Sequence, residues 1–347
     1  MGELTEIAVF DGHNDLLSCL LDEQDPEGRG FFEGRAGMVD LPRARRGGFA
    51  GGFFAIWAGN DPANAPDPMA AARHFPAIDP GGALTDTLAQ AAILLRMAAA
   101  RPDALHLCRR AADITAARAA GAVAAVMHLE GADGIGGDLD ELQVLYAAGL
   151  RSLGPVWSRP TRFGHGVPFI YPASPDTGPG LTEDGKRLVA ECDRLGVLVD
   201  LAHLNEAGFW DVAAVSDRPL VSTHSAAHAV TAATRNLTDR QLDAMAERGG
   251  LVGLNFGCGF VRPDGIKNPD TPPEVLIRHL DHLLNRLGEG GVALGSDFDG
   301  TTVPNFLKDV GAYPALIAAM RKAGYGEALI RRIAWDNWVD LLARVIG

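Results

Sequence analysis

Only four residues of the chain are cysteine, Cys19, Cys108, Cys192 and Cys258, and none forms a Cys-x-x-Cys pair. That spacing excludes a thiolate zinc site and a disulfide framework, so the four read as reduced core thiols. Cations are short as well: 31 Lys and Arg against 44 Asp and Glu leave a net charge of −13. Phosphate backbones and anionic membranes need clustered Lys and Arg, so nucleic acid and membrane surfaces are excluded as partners and a small molecule is expected. No run approaches the roughly 18 apolar residues of a membrane span. The first six residues, Met-Gly-Glu-Leu-Thr-Glu, have no basic region followed by an apolar one, and a cytoplasmic location is expected. A Gly-rich phosphate turn after the first apolar run is also missing, which counts against a doubly wound dinucleotide fold.

What is present is enough apolar material, 47% of the chain, for two ordinary domains or one large α/β barrel. The order of elements decides. Buried strands are predicted at Ile7–Phe10, Phe49–Ala58, Ala122–Leu129, Leu150–Trp157, Val197–Ala202, Leu220–Thr223, Gly250–Phe256 and Val292–Gly295. Helical spacing falls between most of them, as in Leu84–Ala100, Leu139–Ala148 and Thr182–Leu195. Thr182 is placed to cap the last of these, and Thr238 with Gln241 forms a capping-box pattern. Long loops run from Gly59 to Gly82 and from Ser158 to Gly180. No composition break marks a linker. The pattern predicts a single domain over residues 1–347, a (β/α)8 TIM-type barrel with its chemistry at the C-terminal strand ends.

Reading only those ends gives His13 and Asp15 after the first strand, Glu130 after the third, His203 after the fifth, His224 after the sixth and Asp297 after the eighth. His-x-Asp alone is also an ordinary polar turn. Ionisable groups ending successive buried strands are different, because each costs several kcal/mol to bury unless paired or metallated. Two cations fit better than one: His13 and Asp15 on the first, His203 and His224 on the second, Glu130 giving an oxygen to each. The mixed imidazole and carboxylate set favours zinc, though manganese, cobalt or iron suit the same donors. His128 shares a strand face with Glu130 and is expected one layer deeper. His228 falls beyond its strand, and His74, His106, His279 and His282 are expected on the solvated surface.

The motifs Phe10-Asp-Gly-His-Asn-Asp15, His128-Leu-Glu-Gly131, Leu195-Gly-Val-Leu-Val-Asp-Leu-Ala-His203, Ser222-Thr-His-Ser225, Arg235-Asn236 and Gly295-Ser-Asp-Phe-Asp-Gly300 occur in an order that resembles the membrane (renal) dipeptidase family of metallopeptidases. The resemblance spans nearly the whole chain. It implies an amidohydrolase-type barrel, two zinc ions, hydrolysis of dipeptides, often with a C-terminal D-residue, and commonly a homodimer. Carried over by position, His13 and Asp15 resemble the ligands of one zinc, His203 and His224 those of the other, and Glu130 the bridge. Asp297 resembles the proton-shuttling aspartate, and Arg235 the arginine that contacts substrate and tetrahedral intermediate.

One position departs from that pattern. Where mammalian-type members carry a histidine that polarises the scissile carbonyl, this chain has Trp157. Arg159, Arg162 and His165 are candidates to replace it, and Phe163, Phe169 and Tyr171 could wall a pocket or simply pack the loop. The departure keeps two other readings open: a metal-dependent hydrolase of another amide or a lactone, and a metal-binding barrel without turnover.

Overall fold

The computed structural model describes residues 7–59 and 72–347. The first six residues and positions 60–71, within the long loop expected after the second strand, lie outside the described residues. Eight strands form the barrel: β1 (Val9–Asn14), β2 (Phe49–Trp57), β3 (Val123–Glu130), β4 (Leu150–Gly154), β5 (Leu198–Val199), β6 (Val221–Ser225), β7 (Leu251–Leu254) and β8 (Val292–Leu294). Hydrogen-bonded neighbours run β5-β4-β3-β2-β1-β8-β7-β6, all parallel. A parallel bridge from Asp200 to Val221 closes the ring, and the Leu201 N–H donates to the Val221 carbonyl at 2.8 Å. The TIM-type barrel expected from the strand count is the fold observed.

β3 shows why such strands read as unbroken apolar runs. Val123, Ala125, Met127 and Leu129 pack outward in the larger core beneath the helices, while Ala124 and Val126 point into the barrel with His128 and Glu130 above them. Both faces are buried, so polarity appears only at the mouth. The base of the barrel is stoppered from the C-terminal segment. Trp338, on the helix Asn337–Val345, packs against Phe10 and Phe53 and donates its indole N–H to the Leu294 carbonyl at 2.9 Å. Gly12 and Gly295 leave room there, since a Cβ at either would lie 2.2 or 2.0 Å from the Thr223 carbonyl oxygen.

Several boundaries differ from expectation. β1 starts and ends later, so His13 lies inside the strand, where pairing with β2 breaks register between Asp11 and Asn14. β4 stops at Gly154, because the next residue is Pro155, leaving Trp157 in the following loop. Thr182 and Thr238 cap their helices as predicted, accepting from the N–H groups of Gly185 and Gln241. A short antiparallel ribbon, Ala72–Arg73 with Phe169–Ile170, ties the two long loops together and has no signal in the sequence.

His279 corrects the sequence reading: it is fully buried. Its Nδ1 accepts from the Ala227 N–H at 3.1 Å and its Nε2 lies 3.0 Å from the Val261 carbonyl. Burial pushes it down to about 4, so it packs as a neutral ring. His74 and His106 are exposed as expected, while His282 is half-buried, 2.7 Å from Asp239.

Candidate metal centre

The strand ends deliver His13, Asp15, Glu130, His203, His224 and Asp297 to one place. Glu130 is its centre: Oε1 lies 2.9 Å from His203 Nε2 and 3.4 Å from His224 Nε2, and Oε2 lies 3.6 Å from His13 Nε2. Asp15 approaches His13 Nε2 at 3.5 Å. The His13 and His224 rings stack with centroids 3.7 Å apart, and the Nε2 atoms of His203 and His224 are 3.2 Å apart. Three overlapping groups, His13/Asp15/Glu130, Glu130/His203/His224 and His13/His224/Asp297, bring potential ligand atoms within 4.8 Å of one another.

These side chains are held from behind. His203 Nδ1 is 2.7 Å from Ser158 Oγ, and His224 Nδ1 is 2.9 Å from Thr223 Oγ1, so in both rings Nε2 is the nitrogen turned to Glu130. Asp200 accepts from the Thr223 N–H at 2.8 Å and hydroxyl at 2.6 Å. His128 sits one layer down as expected, between Ser152 Oγ at 2.9 Å and Asp200 at 3.6 Å. Asp297 accepts from Asn255 at 2.9 Å, and its own N–H donates to the His13 carbonyl at 3.0 Å. His203 and Asp297 both have positive φ, 68° and 62°, a conformation rare for side-chain-bearing residues and concentrated at functional sites.

The charge pattern suits a cation. Burial disfavours an imidazolium at His13, yet Glu130 and Asp15 outweigh it and hold the ring well above its usual range. Burial also pushes Asp15 up to about 7 and His203 down to about 4, the latter reinforced by Arg235, while His224 is driven well below its usual range. Glu130 stays well below the usual carboxylate range despite burial, because three imidazoles face it. Among the described residues neither ring nitrogen of His13 has a hydrogen-bond partner. Buried His13 nitrogens without partners, beside carboxylates and two rings whose Nε2 atoms converge on Glu130, are the donor set of a divalent metal site, and the residues present fit one.

Arg235 lies beside this cluster, 4% exposed, with Nη1 donating to Ser225 Oγ at 2.8 Å and Nη2 to the His224 carbonyl at 2.9 Å. Its Nε has no partner among the described residues. A cavity of about 290 Å³ opens above, lined by Asp15, Glu130, His203 and Asp297 on its floor and by Trp57, Trp157, Phe169 and Phe260 along one wall. Cys19 also lines the cavity and is only half-buried, which corrects its reading as a core thiol.

The family model for membrane dipeptidases, peptidase family M19, matches residues 3–346. The chain belongs to the membrane dipeptidase family. A solved structure of a family M19 metallopeptidase, the dipeptidase AC, is 52% identical, covers 98% of this chain and 99% of its own, and superposes with a TM-score of 0.94. The metallopeptidase from Rhodobacter sphaeroides, solved with a phosphinate mimic of the dipeptide L-Ala-D-Ala, is 51% identical with a TM-score of 0.92, covering 98% of this chain and 99% of its own. An uncharacterized protein of the pqqA 5′ region of Klebsiella pneumoniae is 46% identical over 266 residues, 77% of this chain and 98% of the relative. As a membrane dipeptidase family member the protein is a metallopeptidase of the dipeptidase class, a hydrolase. No helix among the described residues is long and apolar enough to cross a membrane.

The loop after β4 differs from its sequence reading. Trp157 lines the cavity, but Arg159 and His165 do not. Arg159 is buried against Asp133, with Nε to Oδ1 at 2.8 Å. His165 Nδ1 faces the Gly180 carbonyl at 3.3 Å, and Arg162 is exposed and pairs with Asp184 at 3.1 Å. Phe163 is packed in the core, Phe169 reaches the cavity, and Tyr171 donates to the Pro263 carbonyl. Sequence reasoning missed Ser158, Thr223, Asn255 and Trp57. Thr223 and Ser158 each adjoin a quoted motif or loop residue, but nothing in sequence distinguishes a hydroxyl that orients an imidazole from one that does not.

Proposed function

We propose that the protein hydrolyses dipeptides with two zinc ions, His13 and Asp15 holding one, His203 and His224 the other, and Glu130 bridging them. The observation that carries this reading is Glu130 facing three imidazoles with one oxygen toward His13 and the other toward His203 and His224. Imidazole nitrogens with carboxylate oxygens favour zinc. When bound, two such cations supply Lewis acidity that lowers the pKa of a water from about 15.7 toward about 7.

The chain's own groups do the rest. Asp297, held on the floor by Asn255, takes the proton of the attacking water and returns it to the departing amine, a poor leaving group without it. Arg235 meets the substrate's free α-carboxylate or the oxyanion developing at the carbonyl, and its immobilised guanidinium favours either. Recognition of that carboxylate explains why cleavage stops at dipeptides. In the R. sphaeroides relative the bound mimic has a C-terminal D-residue, which supports testing L,D substrates here. We further propose one catalytic domain over residues 1–347 acting as a homodimer, as the family resemblance implies, in the cytoplasm, where four free cysteines suit a reducing compartment. Light scattering checks the dimer.

The test is release of free amino acid from L,L and L,D dipeptides by zinc-loaded protein, with Asp297→Asn and C-terminally amidated dipeptides as controls. Turnover lost in both controls supports the mechanism. Two metals bound per chain without turnover of any dipeptide would sink the dipeptidase reading and turn attention to other amides and lactones.

A further inference from the structure

Four of the residues lining the cavity are aromatic, Trp57, Trp157, Phe169 and Phe260, and share it with the charged Asp22, Lys267 and Asp299. Those four rings are continuous: Trp57 meets Trp157 edge-on at 5.3 Å, Trp157 meets Phe169 at 5.7 Å, and Phe169 meets Phe260 at 5.3 Å. The wall reaches the floor, with the Trp157 and His203 ring centroids 5.6 Å apart. Phe75 backs it from the ribbon loop, 4.5 Å from Trp157 and 5.1 Å from Phe169.

Behind the two tryptophans lies a charge that nothing in the reaction uses. The Arg159 guanidinium sits 5.7 Å from the Trp57 ring centroid and 5.1 Å from that of Trp157. It is clamped by Asp133 through Nε at 2.8 Å and Nη2 at 3.3 Å, and by the Ala58 carbonyl. Both partners are almost wholly buried. A buried ion pair is a weak source of stability, because desolvation offsets most of its attraction. A planar cation fixed at two indoles contributes something else, a defined position for both rings.

We propose that Trp57, Trp157, Phe169 and Phe260 form the subsite for an apolar side chain of the substrate, and that Arg159 is the positioning residue that fixes its two tryptophans. The inference rests on the dipeptidase reading and deepens it: the substrates are dipeptides with a bulky apolar residue. An aromatic or branched side chain removes more apolar surface from water against this wall than a methyl does, and an aromatic one also stacks on it.

Calorimetric titration of the metal-loaded protein with phosphinate dipeptide mimics reads this without turnover. One mimic has the Ala–Ala side chains, and two others replace one methyl or the other by benzyl. Wild type is expected to bind one benzyl mimic about tenfold more tightly than the Ala–Ala mimic. Trp157→Ala and Arg159→Lys bring that ratio within about threefold, and Trp157→Phe restores most of it; Arg159→Lys keeps the charge against Asp133 while losing the plane and the fork that also reaches the Ala58 carbonyl. No benzyl advantage in wild type, or one that survives Trp157→Ala, overturns the subsite. An undiminished ratio in Arg159→Lys overturns the positioning role. A benzyl advantage lost in the variants of an enzyme that cleaves no dipeptide would keep the wall and sink the dipeptidase reading, whereas dipeptide turnover without a benzyl advantage would do the reverse.

Discussion

Glu130 is the last residue of a strand buried on both faces, while Trp157 lies beyond the end of β4 in a loop secured by contacts with other loops. Both line the same cavity. The floor to which Glu130 belongs inherits its geometry from the barrel, whose parallel register sets where each strand ends. Apart from Trp57, which ends β2 in register with Glu130, the wall to which Trp157 belongs inherits its geometry from contacts distant in sequence: Arg159 with Asp133, and the ribbon joining residues 72–73 to residues 169–170. The lesson is a division of labour. Changes in the floor should abolish chemistry, and changes in the wall should redistribute substrates.

The sharpest way to break that division is Glu130→Gln, which removes the charge facing three imidazoles. Bound metal measured by plasma emission spectrometry should fall from two per chain to below one, and turnover should vanish with it; retained metal would show that Glu130 is dispensable to the floor. Asp297→Asn comes next, with kcat lowered by about 10²–10⁴-fold and metal content unchanged. Arg235→Lys should raise KM for dipeptides by about 10–100-fold, the loss of a charge-assisted bidentate contact. If amidated dipeptides suffer the same penalty, Arg235 does not read the carboxylate.

Two pH effects separate the regions further. Metal-free protein holds His13 protonated above its usual range, and a ligand must shed that proton to coordinate, so zinc binding should release protons and tighten as pH rises through neutrality. Calorimetry in buffers of different ionisation enthalpy measures the release; none would place His13 outside the ligand set. His279 has the opposite sign. Its folded pKa is depressed to about 4 against 6.5 unfolded, so the unfolded chain takes up its proton first and stability is lost as pH falls from 6.5 toward 4. The single group is worth about 3 kcal/mol over that window. His279→Leu should lower stability at neutral pH, by stranding the Ala227 N–H and Val261 carbonyl, yet flatten the slope measured by urea unfolding between those limits.

The floor was legible because polar residues ending apolar runs have few other reasons to be there. His13, Asp15, Glu130, His203, His224 and Asp297 were each read from such a position, and all six converge. His279 carried a readable signal that charged neighbours masked: it is four residues from both Val275 and Leu283, on the buried face of the helix Pro273–Leu287. The wall gave no comparable signal. Arg159 reads as a candidate substrate contact because its partner Asp133 comes from the loop after β3, and Trp57 reads as one more residue of a buried strand. Pairings between loops are set by folded geometry, which no local pattern records.

The contact in which the Asp297 N–H meets the His13 carbonyl joins the first barrel strand to the last. During synthesis, at roughly 5–20 residues per second, His13 therefore waits about 15–60 s for its partner to be made. Until then Asp11 lacks Leu294, its β8 partner, and the stopper Trp338 is made later still. A growing chain thus exposes an unpaired parallel strand edge for most of its time on the ribosome, and ion capture by the complete floor can only follow barrel closure.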